Sequence, residues 1–162
     1  MTDCSHAALM IDHALAIVSW ESERDVDELK QALRDGENGV HSSFRFALAR
    51  VVAQEVGRLV REVYVYGSPL ENRARLNSDI DLLVVVSGAR YFAARCLDAL
   101  DRGLVDEYKA LVAPLGENMN RLLDYHFVTR SDIRQRRGYA AILNDPYALR
   151  PERIYGAAVT AA

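Results

Sequence analysis

An excess of positive charge is missing from this chain. It has 20 lysine and arginine residues against 23 aspartate and glutamate residues, which gives a formal net charge of −3 at pH 7. Proteins that bind DNA or RNA without sequence preference use clustered cations, because those cations neutralise the phosphate backbone. The charge balance therefore argues against general binding of nucleic acid, and no nucleic-acid partner is expected.

Paired cysteines, a secretion signal and long apolar runs are missing as well. Cys4 and Cys96 are the only cysteines and lie far apart, so two reduced thiols are expected rather than a disulfide framework. The N-terminal segment has no basic leading region, and Asp12 interrupts its apolar residues. No apolar run approaches the roughly 18 residues of a membrane-spanning helix. These absences predict a cytoplasmic protein that does not enter a membrane.

A single compact domain is predicted from the length and the composition. The chain has 162 residues, of which 50% are hydrophobic and 27% are charged, as in ordinary globular proteins. The order of the sequence patterns divides it into an N-terminal helical region at 1–60 packed on the core, a core at 61–145 and a C-terminal tail at 146–162.

Apolar residues recur at helical spacing in four stretches that turn-forming residues separate. Ser42 or Ser43 is the predicted N-cap of the second stretch, and Ser131 is that of the fourth. Trp20, in the first stretch, is expected to pack in the core, with docking of a partner as the alternative. The predicted helices cover residues 5–34, as one helix or two, then about 43–61, 89–112 and 131–142.

Three strands are predicted between these helices, at residues 63–66, 79–86 and 122–129. The tail from Asn144 is expected to hold one short helix. Because only a dozen residues join the first two strands, a doubly wound parallel sheet is disfavoured. The predicted fold class is α+β: a mixed β-sheet with helices on one face and an N-terminal helical extension.

Two aspartates open the second predicted strand. Residues two apart in a strand point to the same face, so Asp79 and Asp81 present two carboxylates side by side. These like charges repel, and a divalent cation such as Mg²⁺ relieves the repulsion while it binds substrate phosphates. The alternative is simple turn chemistry at 77–79, but Asp81 lies inside the strand, where aspartate is disfavoured.

Gly67 and Ser68 end the first predicted strand and can provide the phosphate side of such a site. The glycine permits close backbone approach, and Ser68 heads a turn or helix whose N–H groups suit an anion. Ser68 and Glu71, with Pro69 between them, also match a helix capping box, which is the alternative interpretation of this serine.

The pattern Gly67-Ser68, ten intervening residues and Asp79-Ile80-Asp81, with Ser78 before the aspartates, resembles the signature of the polymerase-β-type nucleotidyltransferase superfamily. The resemblance covers about 63–129 and is greatest to the minimal nucleotidyltransferase domains, bacterial proteins often encoded beside a HEPN-type partner. It implies metal-dependent transfer of a nucleoside monophosphate, AMP foremost, from an NTP to an acceptor hydroxyl on a protein or a small molecule, with release of pyrophosphate.

The resemblance also implies the residues of the site. Two Mg²⁺ ions, or Mn²⁺ in their place, bridge the triphosphate of the NTP, ATP foremost, and the carboxylates of Asp79, Asp81 and a third acid from a neighbouring strand. Asp124 is the candidate third acid, because it is the only acidic residue inside a predicted strand other than Asp79 and Asp81. His126 shares its face by strand parity, either as a contact for substrate or as a packed side chain. The residues expected to bind the nucleotide are Gly67, Ser68, Arg73, Arg75 and Ser78.

The segment Pro69 to Asn72 departs from the family pattern. Members commonly read G-S-R-A-R-G, whereas this chain reads G-S-P-L-E-N, without the two arginines and the second glycine. Pro69 lacks an N–H group and Glu71 adds negative charge near the expected triphosphate. Arg73 and Arg75 are expected either to restore positive charge there or to be simple surface residues.

Three functions therefore remain open. The first is the nucleotidyltransferase, which by analogy acts as the antitoxin of a HEPN-type toxin. The second is a protein that kept the fold, lost efficient catalysis and acts by binding a partner protein. The third, an aminoglycoside nucleotidyltransferase, ranks last because no acceptor domain is visible. A homodimer formed through the N-terminal helical region is a further prediction.

Overall fold

The computed structural model describes residues 5–156 without the side chain of Asn38, so Cys4 lies outside the described residues. Two short 3-10 helices occur at Gly57–Leu59 and Gly138–Asn144. The α-helices in the described range are α1 (His6–Ser22), α2 (Val26–Arg34), α3 (Asn38–Val56), α4 (Arg90–Val112) and α5 (Arg130–Gln135), and the strands are β1 (Glu62–Tyr66), β2 (Ile80–Val85), β3 (Leu123–Val128) and β4 (Glu152–Tyr155).

The first predicted helical stretch forms two helices. The chain leaves α1 through Glu23, whose φ of 55° is left-handed, and α2 starts where the Asp25 side chain accepts a hydrogen bond from the Asp27 N–H group. The predicted N-cap of the following helix is wrong, because α3 begins at Asn38 and Ser42 lies inside it. The Ser42 hydroxyl instead accepts a hydrogen bond from the Ala74 N–H group at 3.1 Å.

The four strands form one mixed sheet in the order β3-β2-β1-β4. Strand β1 pairs antiparallel with both β2 and β4, whereas β2 and β3 are parallel. A parallel pair needs a long crossover connection, and α4 supplies it between β2 and β3. The predicted α+β class, with a mixed sheet and an N-terminal helical part, is confirmed.

The sheet has one face covered by helices and one that is largely open. On the covered face, side chains such as Val65, Leu82 and Val84 join the main core together with apolar residues from α1, α2, α3 and α4. On the other face a small cluster of Leu83, Val85, Val128 and Ala140 packs under the second 3-10 helix. The edge of that open face nearest the start of β2 carries the residues described in the next subsection.

The C-terminal part differs from the prediction. Helix α5 is capped by Thr129 rather than by Ser131, because the Thr129 hydroxyl accepts from the Asp132 N–H group and the Asp132 carboxylate accepts from the Thr129 N–H group. The expected short helix in the tail is wrong, since residues 152–155 form β4 and complete the sheet beside β1.

The predicted burial of Trp20 is also wrong. Its side chain is 87% exposed, because the buried face of α1 follows Met10, Ala14 and Val18. No helix among residues 5–156 combines the length and the apolar character that crossing a bilayer requires.

Removal of β4 is expected to lower stability and to promote association. A protein that ends at residue 151 leaves the edge of β1 unpaired, and open edges recruit other strands. We expect a lower thermal midpoint and oligomers in light scattering coupled to size exclusion. The control ends at residue 156 and keeps every described residue; equal behaviour of the two proteins contradicts the prediction.

Candidate active site

Three carboxylates meet at the start of the two parallel strands. The register of β2 and β3 sets Asp81 directly opposite Asp124, and Asp79 comes one residue before β2 begins. One oxygen from each of Asp79, Asp81 and Asp124 lies within 4.8 Å of the others, and all three residues are half-buried. The structure therefore brings together the two motif acids and the acid expected from the neighbouring strand.

The cluster concentrates negative charge. Burial, followed by the charges of Asp79 and Asp124, raises the pKa of Asp81 to about 6, against the opposing effect of Arg121. Arg121 places Nη2 2.8 Å from Asp124 Oδ1 and is the cation paired with the cluster. Three carboxylates in contact with solvent are the donor set that Mg²⁺ and Mn²⁺ accept, so the residues present fit a divalent cation.

Gly67 lies against this cluster at the end of β1. Its φ of 76° is left-handed, and a Cβ atom there would overlap Oδ2 of Asp81. Tyr66, the last residue of β1, pairs with Asp81 in the sheet. Both the backbone conformation and the space therefore require glycine, and the turn that follows β1 starts beside the carboxylates.

Residues 68–72 form a turn rather than a helix, so the capping-box interpretation of Ser68 is wrong. The N–H groups of Leu70 and Glu71 both donate to the Gly67 carbonyl, at 3.1 and 3.3 Å, and are thus committed within the turn. Asn72 occupies the position of the second glycine in the family pattern and has a left-handed φ of 53°. Asparagine tolerates this conformation, which explains how the turn closes without that glycine.

The two arginines of this segment lie on its outer side. Arg73 is ion-paired with Glu71 and its side chain is 73% exposed. Arg75 is exposed, and its N–H group donates to the Ser78 hydroxyl at 2.8 Å. The motif serine Ser78 therefore shapes the loop that leads into β2.

A second group of aromatic and polar side chains flanks Asp124, and most of it was missed from the sequence. His126 Nε2 lies 3.6 Å from Asp124 Oδ2, and its ring stacks on Tyr139 with centroids 3.5 Å apart. Burial, followed by the charges of Asp81 and Asp124, raises the pKa of Tyr66. The position of Tyr66 directly before Gly67 was a signal in the sequence, whereas Tyr139 reaches the site only through the second 3-10 helix.

Two acidic residues of α4, Asp98 and Asp101, have structural roles. Asp101 Oδ1 accepts hydrogen bonds from the N–H groups of Leu122 and Leu123, both at 2.7 Å, and so fixes where β3 begins. Asp98 accepts from the Tyr125 hydroxyl on the covered side of the same strand. These two acids of α4 therefore help to position β3.

The Asp81→Asn variant is expected to stabilise the metal-free protein. A carboxyl pKa raised from 3.8 to about 6 means that the folded state loses stability as the pH rises through this range. Removing that charge should raise the free energy of unfolding at pH 8 by about 1 kcal/mol after allowance for solvent screening. Thermal melts in EDTA at pH 8 and pH 4 measure this, and the gain should vanish at pH 4. The exposed Asp12→Asn is the control, and no gain at pH 8 counts against the repulsion.

The Gly67→Ala variant is expected to damage the site beyond the strain of its backbone. Gly36 has the same φ of 76° but open space around its missing side chain, so Gly36→Ala is a matched control. The control should lose about 1 kcal/mol of stability from strain alone. Gly67→Ala should lose more, and only it should weaken Mn²⁺ binding, because it displaces the Asp81 carboxylate. Equal losses in both variants contradict this.

The residues described above fall within a region that matches a known protein family. The profile of the Nucleotidyltransferase domain family matches residues 47–147, which is more than half of the chain and includes the turn after β1 and all three aspartates. No curated protein and no solved structure matches the chain significantly. The resemblance found in the sequence is confirmed: the chain belongs to the Nucleotidyltransferase domain family and is a transferase that uses an NTP.

Proposed function

We propose that the chain transfers a nucleoside monophosphate, AMP foremost, from an NTP to a hydroxyl of a protein or small molecule and releases pyrophosphate. The observation that carries the proposal is the convergence of Asp79, Asp81 and Asp124 beside the Gly67 turn. Such a site has carboxylates for divalent cations and, next to them, a backbone turn for phosphates.

The acidic cluster is assigned to the cations and the turn to the triphosphate. Asp79, Asp81 and Asp124 are the residues that would hold two divalent ions, Mg²⁺ or Mn²⁺. Such ions would neutralise charge on the triphosphate and favour loss of the proton from the acceptor hydroxyl. Gly67 lets the phosphates approach the strand end closely, and the Ser68 and Ser78 hydroxyls are the polar groups proposed to contact them.

Asp124 is proposed to receive the proton of the acceptor hydroxyl. It lies on β3, away from the Gly67 turn, so the nucleotide and the acceptor approach the cluster from opposite sides. Arg121 holds one of its oxygens by an ion pair, while the other faces His126. The rings of His126 and Tyr139 stack on this side and form an aromatic wall that is proposed to contact the acceptor.

Positive charge for the leaving pyrophosphate is proposed to come from Arg73 and Arg75. Arg73 is held by Glu71 and must exchange that partner for a phosphate, whereas Arg75 is exposed and needs no such exchange. Guanidinium groups suit phosphate oxygens because they donate two parallel hydrogen bonds. Arg75 is thus the stronger of the two candidates.

A partner protein is part of this proposal. By analogy with the minimal members of the superfamily, the acceptor is a hydroxyl of a HEPN-type toxin, and the protein acts in the cytoplasm as its antitoxin. The N-terminal helical region departs from the shortest members of the superfamily and is proposed to form a homodimer or to contact the partner. The exposed Trp20 is the side chain of α1 best suited to such a contact.

A second candidate function is binding of a partner without efficient transfer. The observation that favours it is the turn after β1, where Leu70 and Glu71 donate to Gly67 and Arg73 is neutralised by Glu71. Such a turn offers fewer donors to a triphosphate than the family pattern implies. The intact acidic cluster argues against this candidate, because an unused cluster would be a cost to stability without a benefit.

Transfer is tested with purified protein, each NTP and Mg²⁺ or Mn²⁺, with and without the product of the adjacent gene. We expect pyrophosphate release and an acceptor mass increased by one nucleoside monophosphate. Asp79→Asn and Asp81→Asn should each lower the rate more than roughly 100-fold, since losing an outer-sphere partner alone costs about 10- to 100-fold. The exposed Asp12→Asn should match the unmodified protein. Tight partner binding without any mass increase favours the second candidate.

A further inference from the structure

Arg45 is a fully buried cation in the middle of α3. Its relative exposure is 0%, because it lies among the helices of the main core. A buried charge is costly unless every donor is satisfied. Nε donates to the Ser78 carbonyl at 2.8 Å, Nη2 donates to the Leu76 carbonyl at 2.7 Å and to the Tyr108 hydroxyl at 3.2 Å, and Nη1 lies 3.0 Å from Nδ1 of His41.

The two shortest of these contacts hold the backbone just before Asp79. Ser78 and Leu76 lie one and three residues before this aspartate, on the loop that returns from the Gly67 turn. The planar guanidinium presents its donors in a fixed fork and can therefore hold two carbonyls at once. The Tyr108 hydroxyl also holds this backbone, because it donates a hydrogen bond to the Leu76 carbonyl at 3.2 Å.

His41 keeps this arrangement free of a second cation. Because Arg45 donates to Nδ1, the proton of the neutral imidazole belongs on Nε2. Burial, followed by the Arg45 charge, lowers the pKa of His41 to about 4, against the effect of the Leu33 carbonyl. His41 is thus a neutral acceptor that orients the guanidinium from one helical turn away on α3.

The positive charge of Arg45 interacts with Asp79 from the helical side of the sheet. Burial lowers the pKa of Arg45, while Tyr108 and then the negative charge of Asp79 oppose that shift. Among the described residues, Arg45 forms no ion pair with Asp79, because its donors are turned to the carbonyls. The cation therefore reduces the repulsion at Asp79 without occupying the oxygens that a metal ion needs.

We propose that Arg45 is a positioning residue of the metal site: it locks the backbone of 76–78 so that the Asp79 carboxylate stays beside Asp81 and Asp124. This inference rests on the proposed function in that the cluster binds divalent cations. Ser42, which accepts from the Ala74 N–H group, ties the same loop to α3 at a second point. The covered face of the sheet thereby fixes a ligand that acts on the open face.

The test measures Mn²⁺ binding to the nucleotide-free protein by electron paramagnetic resonance, together with amide hydrogen exchange of the metal-free protein. In Arg45→Lys one ammonium cannot hold both carbonyls, so we expect roughly 10-fold or weaker Mn²⁺ binding, the size typical of lost outer-sphere support. Exchange should rise in the peptides that cover residues 74–80 and stay unchanged in β3.

Two further variants separate positioning from general stability. Leu15→Ala removes buried apolar contacts from α1, whose described residues make no hydrogen bond to the loop at 74–78; it should lower the thermal midpoint and leave Mn²⁺ affinity unchanged. Tyr108→Phe removes the hydroxyl that accepts from Arg45 Nη2 and donates to the Leu76 carbonyl, which loosens the anchor at Leu76, so its Mn²⁺ affinity should fall a few-fold. If Arg45→Lys does not fold, the Mn²⁺ affinities of Tyr108→Phe and Leu15→Ala are compared instead, and a loss in Tyr108→Phe alone supports the positioning role.

The outcomes separate the two levels of the proposal. Absence of Mn²⁺ binding in the unmodified protein overturns the metal site itself and the proposed function with it. Normal Mn²⁺ binding in Arg45→Lys, or in Tyr108→Phe if that variant has to decide, overturns the positioning role alone. An exchange increase spread evenly over the whole sheet, as in Leu15→Ala, also overturns it.

Discussion

Repulsion among three carboxylates is the interaction on which this structure depends. One carboxylate oxygen from each of Asp79, Asp81 and Asp124 lies within 4.8 Å of the others, and like charges at this distance repel. In the unfolded chain the three carboxylates are free to move apart. The rest of the fold must supply the free energy that keeps them together. Strand β2 carries most of this requirement, because Ile80, Leu82, Leu83, Val84 and Val85 are all fully buried.

The two faces of the sheet differ in composition: one carries the main apolar core and the other carries the acidic cluster. The face under α1 to α4 is apolar and provides the packing, whereas the other face carries the carboxylates and the aromatic wall of His126 and Tyr139. Arg45 connects the two faces, since it lies in the helical layer and holds the loop that ends at Asp79. The helical layer is therefore tied to the loop before Asp79 by Arg45 and, at a second point, by Ser42.

The motif residues and the strand pattern could be predicted from the sequence because they depend on local spacing. The period of two places Asp79 and Asp81 on one face of β2. Asp124 is expected beside them from the family resemblance, and the parallel register of β2 and β3 sets it there. The capping of α5 at Thr129 differs by two residues from the predicted cap, since Ser131 and Thr129 compete for the same turn and Asp132 reciprocates only with Thr129.

Features that depend on distant partners could not be predicted. Arg45 in an amphipathic pattern is typical of a surface position, and only the carbonyls of a loop 31 to 33 residues away explain its burial. Strand β4 follows Pro151 with mixed polar residues, and it is a strand only because the edge of β1 is open to it. The exposure of Trp20 depends in the same way on where α1 meets α3 and α4, which no local period records.

The parallel pairing of β2 and β3 has a consequence for synthesis of the protein. The pairing brings Asp81 beside Asp124 across a connection that contains the 23 residues of α4. Closing such a long connection is slow compared with forming a hairpin, and a ribosome delivers β3 well after β2. A nascent chain that has released β2 thus carries two of the three acids, Asp79 and Asp81, and completes the cluster only when β3 brings Asp124 beside them. The complete set of three carboxylates therefore forms late, after the crossover connection has closed.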